Sequence, residues 1–258
     1  MRWQWLNETI ESHTTRQILK LHECMPNNNK GFSMGKDFNS QQVVDGYDEH
    51  IRKLIPGYEL THQQVDAILS HHYGEQTQVQ ILVVGCGTGY ELQYLAQKHP
   101  NWQFTAIDPS HVMLCKAKQR LEKHGVLHRV RFIHGDTKSL ANEPMFDAVL
   151  SILVAHFIPL ESKQSFFKDI FSGLKPNGML LTYDLMKESE AHEVLVLKQF
   201  CENNGLSAGQ SEKMVERLQH DFFLVSPKMG QQLLANVGFK KVKTYSQLMN
   251  YYGFCAVK

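Results

Sequence analysis

The sequence predicts an α/β fold, a mostly parallel sheet that closes on an antiparallel hairpin. Three observations predict it. Residues 80–96, QILVVGCGTGYELQYLA, read as strand, glycine-rich turn and helix. Further apolar strand patterns then alternate with helical ones, as βαβ units do. The tail, FKKVKTYSQL followed by MNYYGFCAVK, reads as two hairpin strands.

In the first unit an apolar run, 81–84, meets Gly85, Gly87 and Gly89, and Leu92, Leu95 and Ala96 then share one helical face. Glycines permit positive φ and let a ligand approach the backbone with no Cβ in the way. The N–H groups that open the helix point at whatever lies over the turn. A tight structural turn uses the same residues, so the triplet by itself leaves both readings open. The next strand, 101–107, ends on Asp108, about twenty residues past the last glycine, where a βαβ unit brings a carboxylate beside the turn to accept ribose hydroxyls. A third strand at 130–133 runs into Gly135-Asp136-Thr137, and a fourth at 148–152 follows Phe146-Asp147. Four carboxyl ends therefore face one crevice, where open α/β sheets bind ligands. A helix at 164–173, a fifth strand at 179–184 and the hairpin bring the expected total to seven strands.

The dinucleotide fingerprint G-x-G-x-x-G requires glycine at position 90, which is Tyr90 here. The G-x-G-x-G form, the acid ending the second strand and the G-D pair ending the third together resemble class I S-adenosylmethionine (SAM)-dependent methyltransferases. FDAVLSILVAHFI (146–158) resembles that family's fourth-strand motif, and LKPNGMLLTYDL (174–185) its fifth strand. The resemblance covers residues 40–258 and implies a Rossmann-like seven-stranded mixed sheet with SAM as cofactor and S-adenosylhomocysteine (SAH) as product. It implies that Gly85, Cys86, Gly87 and Gly89 lie against the methionine part of SAM and that Asp108 holds the ribose. Asp136, followed by Thr137, would meet the adenine amine, and Pro109 and Met113 lie near the adenine ring. Met113 at helical spacing suits core packing equally. Ser151 is placed to meet the amino-acid end of SAM.

His156, just past the fourth strand, is the candidate general base, since imidazole titrates near neutrality. Methyl transfer needs a base only when the acceptor must first lose a proton, so positioning and core packing are the competing readings of His156.

At 258 residues with 42% apolar content, the chain suits one α/β domain with additions. Its formal net charge of +1 supplies no phosphate-tracking surface, which argues against nucleic acid as direct substrate and against membrane attachment. Five cysteines without framework spacing, and no apolar leader in MRWQWLNETIESHTT, lead to a cytoplasmic expectation. The histidines at 111, 124, 128 and 134 follow no metal-ligand period, so no metal is expected.

Residues 1–77 are expected to form a helical lid region and 78–258 the SAM-binding domain. Within the lid, 1–24 suits a short helix with Trp3 and Trp5 ahead of it, and 25–40 a loop. Val43, Val44, Tyr47, Ile51 and Leu54 form one helical face that Pro56-Gly57 stops, and Thr61 is the expected cap of the next helix. IRKLIPGY (51–58) resembles the corresponding stretch of carboxy-SAM synthase, where the tyrosine after Pro-Gly contacts the cofactor; this carries over to Tyr58. A partly buried turn tyrosine is the alternative, and Tyr47 a second candidate. Residues 186–226 read as a helical insertion at the ligand edge, either a substrate cap or a solvated helical pair.

The resulting expectation is a SAM-dependent methyltransferase acting on a small-molecule acceptor, with a homodimer admitted. Carboxy-SAM synthase chemistry, using prephenate in support of tRNA modification, is the alternative. The chain departs from that family's pattern at Ser151, where the family has Asn, and aligning Arg217 with its carboxylate-holding arginine needs a gap. A non-catalytic SAM-binding protein is the third reading. Tyr90 and the terminal hairpin disfavour an NAD-dependent oxidoreductase.

Overall fold

The computed structural model describes residues 37–258 except 75–77, 142, 144 and 188–190. The expected helix at 1–24, with Trp3 and Trp5, lies outside the described residues. Chain order is α1 (Gln41–Asp45), α2 (Tyr47–Leu54), α3 (Tyr58–Tyr73), β1 (Gln80–Val84), α4 (Tyr90–Lys98), β2 (Gln103–Asp108), α5 (His111–Lys123), β3 (Val130–His134) and β4 (Phe146–Ile152). Then follow α6 (Lys163–Gly173), β5 (Leu174–Leu185), α7 (Ala191–Asn203), α8 (Ala208–His220), α9 (Pro227–Val237), β6 (Lys240–Leu248) and β7 (Tyr251–Val257).

The seven strands form one sheet in the order β3-β2-β1-β4-β5-β7-β6. The first five are parallel, and β7 pairs antiparallel with both β5 and β6. Strand order reverses between β1 and β4, so the crevice of this topology opens at their carboxyl ends. Alternation along each strand gives the sheet two apolar faces. Ile81, Val83, Ala106, Leu150 and Leu181 pack under Leu69, Leu92, Leu95 and Leu121. Leu82, Val84, Ile107, Val149 and Leu180 pack under Phe166, Phe167, Ile170 and Leu234. Strands buried on both faces read as the continuous apolar runs seen in β1 and β4.

Ser110 accepts from Met113 N–H at 3.1 Å to start α5, and Gly238, at φ +117°, ends α9. Several element ends depart from the sequence reading. The expected single helix over 43–54 breaks at Gly46 into α1 and α2. The next helix begins at Tyr58, before Thr61, because Gly57 at φ +64° turns the chain directly into it. Thr61 instead bonds back to the Gly57 carbonyl at 3.2 Å. The fifth strand is longer than 179–184: Leu174 already pairs with Phe146 across an irregular register. The insertion contains two helices, α7 and α8, and a capping box of Ser207 and Gln210 starts the second.

Candidate functional site

The β1–α4 turn carries three glycines at positive φ, each with different surroundings. A Cβ at Gly85 would stand 2.6 Å from Val154 Cγ2, and one at Gly89 would stand 2.9 Å from Ala117 Cβ, so these positions pack against protein. Among the described residues, a Cβ at Gly87 would meet nothing within 4 Å, so the backbone there is open to approach.

Asp108, at the end of β2, is fixed beside the turn. Its Oδ2 accepts Gly87 N–H at 2.9 Å and its Oδ1 accepts Ser110 N–H at 2.8 Å. The carboxyl is buried, and burial pushes its pKa above the usual range while the two N–H donors pull it back. Each oxygen keeps a further lone pair for an incoming donor. At the end of β3, Asp136 Oδ1 accepts Lys138 N–H at 3.0 Å, which leaves its other oxygen exposed. Thr137 is buried and donates to Asp169 at 2.9 Å.

These strand ends border a cavity of about 290 Å³ lined by Gly85, Ile107, Pro109, Asp136, Thr137 and, across from them, Val154, Ile158 and Phe166. The structure thus brings Gly85, Pro109, Asp136 and Thr137 together, with Gly87 and Asp108 adjoining. The turn after β4 and α6 complete the wall with these apolar groups and with the polar Ser162, Ser165 and Asp169. Sequence reasoning missed Val154, Ile158 and Phe166, since apolar residues in apolar stretches look like ordinary core.

Ser151, Met113, Tyr58 and Cys86 are buried and do not line this cavity. Ser151 is fully buried on the Val149 face of the sheet, paired with the cavity-lining Val84, and its Oγ has no hydrogen-bond partner among the described residues. Met113 packs with Val44 and Val112. Tyr58 is buried in an aromatic group, 5.4 Å from the Tyr90 ring and 4.7 Å from His62. Cys86 is buried, and burial raises its thiol pKa.

The helices before β1 are tied to the same turn. Asp48 on α2 accepts from Thr88 Oγ1 at 2.6 Å and pairs with Arg120 on α5, and Asp45 pairs with Lys116 at 2.7 Å. Ser110 Oγ donates to the Phe38 carbonyl at 2.6 Å.

His156 lies in the short turn Ala155–Phe157 beyond β4, and Asp184, near the end of β5, accepts its Nδ1–H at 3.0 Å. Asp184 ends an apolar strand much as Asp108 does, and that pattern was available in the sequence. Among the described residues, no three His, Cys, Asp or Glu side chains form a metal-holding group, and no helix is long and apolar enough to cross a membrane.

Sheet order, glycine turn and strand-end acids together define a class I methyltransferase domain. A family model described as "Methyltransferase domain" matches residues 81–178. Among curated relatives, it is similar to carboxy-S-adenosyl-L-methionine synthase of Desulfotalea psychrophila, with 26% identity over 236 residues, 89% of this chain and 95% of that protein. It is 33% identical over 122 residues to malonyl-[acyl-carrier protein] O-methyltransferase of Priestia megaterium, covering 47% of this chain and 42% of that protein. Among solved structures it resembles magnesium protoporphyrin IX methyltransferase of Synechocystis with bound SAH. The TM-score is 0.63 at 18% identity, covering 86% of this chain and 96% of that one.

Proposed function

We propose that this protein binds SAM across the β1–β4 crevice and transfers its methyl group to a small-molecule acceptor. The observation that carries the reading is the pairing of open space at Gly87 with a buried carboxylate, Asp108, pinned to the Gly87 N–H. In this reading the free lone pairs of Asp108 hold the ribose hydroxyls and the exposed oxygen of Asp136 takes the adenine amine. Pro109, Val154 and Ile158 flank the adenine. When bound, SAM supplies an electrophilic methyl on a sulfonium. The chain's part is to align the partners and exclude water, and alignment alone accounts for ~7–11 kcal/mol of barrier in favourable cases. The near-neutral charge and the two-helix insertion support a small acceptor over nucleic acid.

Calorimetry with SAH tests the cofactor half: saturable one-to-one binding is expected, and no heat at any concentration would sink the reading. Incubation with methyl-labelled SAM and the small-molecule fraction of a cell extract tests the acceptor half.

A second reading has its own support, because the carboxy-SAM synthase relative spans nearly the whole chain. That chemistry requires a cation for the additional carboxylate, and Arg217 is the candidate. Its Nε donates to Asp221 at 2.6 Å and its guanidinium lies 5.7 Å from the Phe222 ring, so the reading requires Arg217 to leave Asp221. Product mass after incubation with SAM and prephenate decides it, with activity expected to vanish in Arg217→Ala.

A further inference from the structure

The cavity at the ends of β1 and β3 has a second acid on its far wall. Ser162, Ser165, Phe166 and Asp169 all line it, and they recur at helical spacing along α6 and its N-cap. Residues three and four apart share a helix face, so this stripe is turned to the cavity. Phe166 is its apolar member and is buried with Phe167 and Ile170. Ser165 spends its hydroxyl proton on the Ser162 carbonyl at 2.9 Å. Asp169 carries the charge of the stripe.

Asp169 reaches across to the opposite wall. Its Oδ2 accepts the hydroxyl of the buried Thr137 at 2.9 Å. Among the described residues no donor bonds to Oδ1, and that oxygen stays accessible. Beside Thr137 stands Asp136, whose Oδ1 accepts Lys138 N–H at 3.0 Å and whose other oxygen is exposed. Both acids line the one cavity, and Lys138 lines it with them as the accompanying cation. The Thr137 hydroxyl joins the two walls.

An adenine 6-amino group has two N–H donors, and the ring nitrogen beside it, N1, is an acceptor. One carboxylate takes one of those hydrogens, whereas two carboxylates take both. The second acid matters most for selectivity. A 6-oxo purine carries a hydrogen on N1 and can turn that donor to a single carboxylate. Against two carboxylates its 6-oxygen faces an acceptor with no donor between them. Leaving such polar groups unpaired in a binding site is what gives strong rejection.

We infer that Asp169 is a specificity-determining residue that takes the second hydrogen of the cofactor's 6-amino group, so that Asp136 and Asp169 together select 6-amino over 6-oxo purines. The inference rests on the SAM-binding reading and deepens it at the adenine end.

Calorimetry with SAH and with S-inosylhomocysteine, its 6-oxo counterpart, is the test. The parent should bind SAH at least about a hundredfold more tightly. In Asp169→Asn the side-chain amide can donate to a 6-oxygen, so SAH should weaken about tenfold and the 6-oxo compound should tighten. Thr137→Val breaks the same tie between the walls but leaves the Asp169 charge, and should keep most of the selectivity. Equal losses for both ligands in Asp169→Asn, or selectivity lost to the same extent in Thr137→Val, would make the contact a structural tie and overturn the inference. NMR of the parent with SAH labelled with ¹⁵N at the 6-amino group needs no variant. Two distinct, exchange-protected amine protons are expected, and a single averaged signal overturns the inference. A parent that binds both ligands alike sinks the inference alone, whereas a parent that binds neither sinks the cofactor reading.

Discussion

Two aspartates, each near the carboxyl end of an apolar strand, are held in opposite ways. Asp108 gives one oxygen to Gly87 N–H and the other to Ser110 N–H, so backbone fixes both. Asp184 gives a single oxygen to His156, twice, and its other oxygen has no partner among the described residues. A carboxylate anchored by backbone is rigid and has lone pairs left for a ligand. A carboxylate anchored to one histidine fixes that ring's tautomer. The two strand ends therefore differ in what they offer: Asp108 leaves lone pairs beside an open turn, which the proposed cofactor binding uses, whereas Asp184 fixes a buried histidine.

The largest effect should follow from breaking the first half. Asp108→Ala removes two charge-assisted contacts to the ribose, at ~1.5–3 kcal/mol each, which is on the order of a hundredfold or more in SAH affinity. Unchanged affinity by calorimetry would show the ribose is held elsewhere. Next come the glycines. Ala at position 85 or 87 adopts positive φ at a cost of roughly 1–2 kcal/mol in stability. Gly85→Ala must also displace Val154, so thermal melts should place it below Gly87→Ala. Gly87→Ala, with open space around its Cβ, should lose more SAH affinity than stability. The reverse ranking would remove Gly87 from the ligand surface.

The smallest effect sharpens the second half. Burial lowers the pKa of Lys163 to about 8, opposed by Asp184. A lysine whose folded pKa is depressed contributes least to stability at and below that pH. Its contribution recovers as pH rises toward the unfolded value of about 10.4. In urea titrations the stability of the parent relative to Lys163→Met should therefore rise between pH 8 and pH 10. A flat difference would mean Lys163 titrates as it does in the unfolded chain.

The half built around Asp108 was legible in the sequence because its chemistry is rare at those positions. Three glycines spaced by two, and Asp108 and Asp136 each closing an apolar strand, have few structural explanations in combination. The half built around Asp184 was not. Lys163 opens KQSFFKDIF and looks like a solvated helix charge; only packing of α6 against β4 and β5 buries it. Ser151 was assigned to the amino-acid end of SAM; register sets it beside the cavity-lining Val84, and the packing of α6 buries it completely. Thr61 has the right chemistry for a cap, yet Gly57 starts α3 sooner. The sheet, by contrast, followed from the alternation of strands and helices and from the terminal hairpin.

The most direct measurement is native mass spectrometry of the protein as purified from cells, with the bound small molecule identified on release. The account predicts SAM or SAH at one equivalent per chain, lost in Asp108→Ala. A ligand heavier than SAM by one carboxylate would move the assignment to the carboxy-SAM chemistry and to Arg217, and a dinucleotide in the crevice would contradict the account.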